Sequence, residues 1–125
     1  MRQSVRTYHA VLVGLAGASA VLLGALGAHG LQGVLDARHR QVWETAVQYQ
    51  FWHALALALV ALVGGEGRAR TFAIGCFAAG IVLFSGSLYA LALGAPRWVG
   101  FITPFGGVAF VIGWIALGLA MRRHD

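Results

Sequence analysis

VLVGLAGASAVLLGALGAHGL, Val11–Leu31, contains no Asp, Glu, Lys or Arg, and its only polar side chains are those of Ser19 and His29. At roughly 1.5 Å of rise per residue, such a run crosses a bilayer core of about 30 Å as one helix. The charge-free stretch extends from beyond Arg6 to just before Asp36. A secretory signal peptide is the competing reading, because Arg2 and Arg6 precede the run and Gly17-Ala18-Ser19-Ala20 resembles a cleavage site. The stretch is too long for the apolar region of a signal peptide, and the expectation is an uncleaved first span.

The rest of the chain repeats this pattern. Thr45–Gly65, Thr71–Ala95 and Trp98–Met121 are also free of formal charge, and Asp36–Glu44 is the most polar stretch. Gly64-Gly65-Glu66-Gly67 followed by Arg68 and Arg70 marks one break, and Pro96-Arg97 marks another. Expected spans are 9–31, 45–65, 71–95 and 98–121 in a single integral membrane domain. The fold class is all-α, a compact four-helix transmembrane bundle running up-down-up-down. Short links make sequential helices antiparallel neighbours. No run shows the alternation of a membrane β-barrel.

Composition agrees with that architecture. In 125 residues, 59% are hydrophobic and 10% charged, and mean hydropathy is +0.76. This is more apolar surface than one small soluble core could hide, so the remainder faces the lipid bilayer. The net charge of +5 would suggest nucleic acid in a soluble chain. Here the basic residues flank apolar runs, the footprint of topology signals, and no nucleic acid partner is expected.

Arg2, Arg6, Arg68, Arg70, Arg122 and Arg123 fall on one side, against Arg38, Arg40 and Arg97 on the other. The richer side belongs in the cytoplasm, which places both termini there. Trp43, Trp98 and Tyr8 sit near expected helix ends, where amphipathic rings favour the headgroup level. Ala16, Ala20, Gly24 and Ala28 on helix one, and Gly86, Ala90 and Gly94 on helix three, form small-residue stripes. Packing within the chain uses such stripes, and so does a homo-oligomer or a membrane-protein partner.

Placed by depth, the polar residues gather in the outer half. They are His29 at the end of helix one, Gln48, Tyr49, Gln50 and His53 early on helix two, Ser85, Ser87 and Tyr89 late on helix three, and Thr103 at the start of helix four. The inner half is almost wholly apolar. Tyr49 and His53, four residues apart, share a helix face with Gln50. His53 lies roughly 12 Å inward from Thr45 and should face protein.

The cluster admits two readings. It is a hydrogen-bonded core that fixes helix register, or a site for a small polar molecule, lipid headgroup or quinone-like ring. His29 and His53 lack a third ligand at a recognisable spacing, so no metal is expected, and Cys76 stands alone. Ser85-Gly86-Ser87 is not a nucleophile elbow and no Gly-rich phosphate loop is present, so neither an enzyme nor a cofactor is expected. Pro104 with Gly106-Gly107 suggests a local bend in helix four.

Four motifs go further: LGALGAHGL (Leu23–Leu31), WETAVQYQFWHALAL (Trp43–Leu57), FSGSLYAL (Phe84–Leu91) and RWVGFITPFGG (Arg97–Gly107). In this order they resemble the signatures of the YgdD-like small bacterial inner-membrane proteins, a family of unknown function with an uncharacterised eukaryotic transmembrane relative. The resemblance implies an uncleaved multi-pass protein of the bacterial plasma membrane, and brings no catalytic residue. Its motifs include His29, Gln48, Tyr49, His53, Ser85, Ser87, Tyr89, Thr103 and Pro104, which overlap the polar cluster found by depth.

Overall fold

A chain crossing lipid finds no water to satisfy its backbone, so each crossing segment must close its hydrogen bonds internally. The computed structural model describes residues 6–63 and 67–122. Helix one is Thr7–Gly30, helix two Ala37–Val63, helix three Arg68–Ala92 and helix four Arg97–Arg122. All four are long and apolar enough to cross a membrane. Helix two packs on helices one and three, and helices three and four form the most extensive pair. With short links, this is an all-α, up-down-up-down four-helix bundle. Gly64, Gly65 and Glu66, where the sequence suggests a break, lie outside the described residues, as do Arg2, Arg123, His124 and Asp125.

Helix two starts at Ala37, so the polar stretch before Thr45 is helical. Asp36 caps it, its carboxylate accepting the His39 backbone N–H at 2.8 Å and lying 2.7 Å from the His39 Nδ1. These 27 residues span about 40 Å, and the charged first turns extend the helix past a hydrocarbon core of about 30 Å.

Two helices contain a wider turn. Leu26–Gly30 ends helix one as a π-helix, with the Leu31 N–H bonded to the Leu26 carbonyl at 2.8 Å, and Ile81–Ser85 forms a second one inside helix three. Beside the first, Gly27 lies under the Trp43 ring, where an added Cβ would come within 2.5 Å of Cδ1. Of the helix one stripe, Ala16, Ala20 and Gly24 pack within the chain and Ala28 is exposed, and Gly27, outside the stripe, makes the closest approach. The expected stripe on helix three does not pack within the chain in this way. Gly86 faces open space, and Gly94, with φ of 102°, lies past the helix end.

Close packing between helices three and four runs instead through Gly80, Gly106 and Gly113. A Cβ on Gly106 would fall 2.8 Å from the Phe84 Cα, inside the second π-turn, and one on Gly113 would fall 2.8 Å from the Phe77 ring. The bend expected at Pro104 is corrected accordingly. Helix four opens with a 3-10 turn, Arg97–Phe101, and becomes α-helical at Thr103. Pro104 thus occupies a first turn, where its missing N–H costs no helical hydrogen bond. Gly106 serves close approach.

Buried apolar residues concentrate in one half of the bundle: Leu57 and Val60 from helix two, Ile74 and Phe77 from helix three, Phe110 and Leu117 from helix four. Most of the buried polar side chains occupy the other half.

Candidate functional site

Helix two is the hub of that polar half, joined by hydrogen bonds to each of the other helices. The Gln50 amide has two donors and an acceptor to satisfy. Its Nε2 donates to the Ala16 carbonyl at 3.0 Å and to the Ser19 Oγ at 2.6 Å, both on helix one. Its Oε1 accepts the Tyr89 hydroxyl of helix three at 2.6 Å. Above it, the Trp43 Nε1 donates to the Leu23 carbonyl at 2.9 Å, and the Trp43 ring meets Tyr89 edge-on at 4.7 Å between centroids.

Ser85 is fully buried and donates to the Ala46 carbonyl of helix two at 2.8 Å. It closes the second π-turn, so the wider turn and this interhelical bond coincide. Ser87 donates to the Phe84 carbonyl at 2.9 Å, and its hydroxyl also pairs with that of Thr103, linking helices three and four.

His53 is 5% exposed, its ring stacked on Phe110 at 3.6 Å between centroids and 8° between planes. Nδ1 lies 2.7 Å from the Tyr49 carbonyl, and the indole Nε1 of Trp114 lies 3.1 Å from Nε2. A carbonyl only accepts and an indole N–H only donates. His53 is therefore the neutral Nδ1–H tautomer, with both nitrogens occupied. As arranged, it has no lone pair left for a serine proton or a metal.

Of the nine polar residues that the sequence points to, the side chains of Gln50, His53, Ser85, Ser87, Tyr89 and Thr103 take part in this hydrogen-bonded region, and Tyr49 joins it through its backbone carbonyl only. The other two do not: His29 and Gln48 are exposed and make none of these bonds. Helical geometry accounts for Gln48, which falls outside the inward face of helix two that carries Ala46, Gln50 and His53. His29 sits in the terminal π-turn of helix one, where Gly27 is the buried position.

Several participants lie outside the cluster that depth alone picks out. Ser19 was hidden in the first span, and Trp114 reads as one more apolar residue of the fourth. Trp43, whose place near a helix end predicts a headgroup anchor, is instead buried and hydrogen-bonded within the protein, whereas Trp98 and Tyr8 are exposed. Arg70, which the sequence places among the topology signals, is 7% exposed and donates to the Val60 and Ala61 carbonyls at the end of helix two. Among the described residues, no three His, Cys, Asp or Glu side chains come together.

Residues 23–107, which contain most of this network, match the family model described as "Protein of unknown function (DUF423)". The chain belongs to the DUF423 family. Its DUF423 relatives carry the name UPF0382 membrane protein. The Bacillus subtilis protein YwdK is 49% identical over 109 residues, covering 84% of this chain and 88% of the relative. A Haemophilus influenzae protein is 40% identical over 114 residues, covering 90% and 92%. One from Staphylococcus epidermidis is 45% identical over 105 residues, covering 83% and 86%. No solved structure matches the chain. In this DUF423 chain the family match starts at Leu23, the Trp43 acceptor, and ends just past Gly106.

Proposed function

We propose that this DUF423 protein is a non-enzymatic structural or accessory component of the bacterial plasma membrane, with both termini cytoplasmic. Its polar half serves as a register lock. Lipid removes the hydrophobic incentive for helices to associate, so packing and interhelical hydrogen bonds must select one arrangement. The observation that carries this reading is the pair of bonds on His53, which occupy both ring nitrogens. Gln50 adds weight, since one amide ties helix two to helices one and three.

Orientation rests on the arginine distribution and the compartment on the bacterial membrane-protein relatives. Native mass spectrometry of the full chain released from nanodiscs, beside His53→Ala, tests the reading. The lock predicts the same adducts on both proteins. A discrete mass retained by the wild type and lost by His53→Ala would replace it with the alternative, a binding or transport module for a small polar molecule, lipid headgroup or quinone-like ring.

A further inference from the structure

The opposite end of the bundle holds two buried polar groups that the lock does not use. Helix one begins there, helix two ends and helix three begins. Arg70 is 7% exposed, and its Nε and Nη2 point at the Val60 and Ala61 carbonyls, 3.3 and 2.6 Å away. Those carbonyls lie in the last turn of helix two, which has no intrahelical partners and carries partial negative charge. They orient the guanidinium without neutralising it. Among the described residues, the only ion pair is His39 with Asp36, far along the chain at the start of helix two.

His9 lies at the same end of the bundle, where the positive charges of Arg70 and Arg6 both act on its ring. It is 2% exposed, and among the described residues neither Nδ1 nor Nε2 has a hydrogen-bond partner. Two unpaired ring nitrogens inside a protein cost free energy, and native structures satisfy such groups with water or a bound ion. His9 also belongs to the first turn of helix one, whose cap residue, Arg6, makes no side-chain hydrogen bond to it. Among the described residues no side chain caps the first-turn N–H groups, and such groups are the ones that receive an anion at a helix start.

We propose that His9, Arg70, Arg6 and the start of helix one form a binding site for a phosphate group, carried by an anionic phospholipid headgroup or by a free phosphate ester. Arg70 and Arg6 supply positive charge, His9 supplies one ring N–H, and the helix start adds backbone N–H groups. Exposed Arg6 and Tyr8 set the site at a helix end, the depth of lipid headgroups. This inference does not depend on the role of the polar half.

The test is native mass spectrometry of the full chain with phosphatidylglycerol, phosphatidylcholine or inorganic phosphate. His9→Phe keeps a ring without nitrogens, Arg6→Gln alters an exposed residue whose side chain makes no hydrogen bond to the helix start, and His29→Phe is a control at the other end. The wild type should retain one phosphatidylglycerol in preference to phosphatidylcholine. His9→Phe and Arg6→Gln should each weaken retention about tenfold, the worth of one charge-assisted hydrogen bond, and His29→Phe should not. Competition by inorganic phosphate would identify a free phosphate ester as the natural occupant, and its failure a lipid. Equal retention of the two lipids with no phosphate binding, or retention unchanged in both site variants, would overturn the proposal.

Discussion

The indole N–H of Trp114 on helix four meets the Nε2 of His53 on helix two at 3.1 Å, and the Nδ1 of the same ring meets the Tyr49 carbonyl at 2.7 Å. One side chain thereby holds two helices in register while keeping both of its polar atoms away from lipid. Phe110 stacks on the ring and adds an apolar contact to the same joint.

His53→Ala removes that contact, strands the Trp114 N–H and leaves a cavity beside Phe110 and Phe77. Loss of a buried ring of this size costs about 3 kcal/mol, and thermal unfolding in detergent should show a clear fall in Tm. An unchanged Tm would count against the lock.

Gly106→Ala should be among the most damaging single-methyl additions in the chain. Its Cβ would press on the Phe84 backbone, which has no side-chain freedom with which to yield. Overpacking of this kind costs about 1 to 3 kcal/mol. Gly86→Ala, on the same pair of helices but facing open space, should be neutral or slightly stabilising. Unfolding of the two variants side by side checks the contrast.

The Gln50–Tyr89 hydrogen bond should appear in a double-mutant cycle of Gln50→Leu and Tyr89→Phe. Coupling of roughly 0.6 to 1.7 kcal/mol fits measured interhelical bonds in membranes. Additive single effects would mean that the 2.6 Å bond contributes nothing.

The Asp36 carboxyl is held below its ordinary value near 3.8, first by the backbone N–H of His39 and next by the His39 side chain. A depressed folded-state pKa makes the cap's contribution fully present above the unfolded value and lost as pH falls through the folded one. Asp36→Ala should therefore lower Tm at neutral pH, with the difference shrinking only in acid below that usual carboxylate value. A difference that persists unchanged in strong acid would assign the effect to something other than the ionised cap.

The four spans were legible because solvation by lipid acts on every residue of a crossing segment, and an uncharged run such as Val11–Leu31 states that requirement along its whole length. Gln50 and His53 were legible for the converse reason, being polar groups in a setting where each needs a partner. Of their partners, Tyr89 and Tyr49 were legible in the same way, whereas Ser19 and Trp114 were not. Ser85 reaches Ala46 at the end of a π-turn, and Gly106 lies against Phe84 inside the same turn, a local change of helix type that regular 3.6-residue periodicity does not anticipate. Trp43, Arg70 and His9 lie near helix ends, where rings and charges ordinarily meet headgroups. Here tertiary packing turns all three inward.

The central claim is that the nitrogens of His53 are already occupied by the protein. Nitrogen-15 NMR of histidine-labelled protein in nanodiscs, with the His53 signals assigned by their loss in His53→Gln, reads this directly. The account predicts a neutral ring protonated on Nδ1, with an unprotonated Nε2 coupled to the Trp114 indole N–H. A proton on Nε2, or an Nε2 with no indole partner, would contradict it.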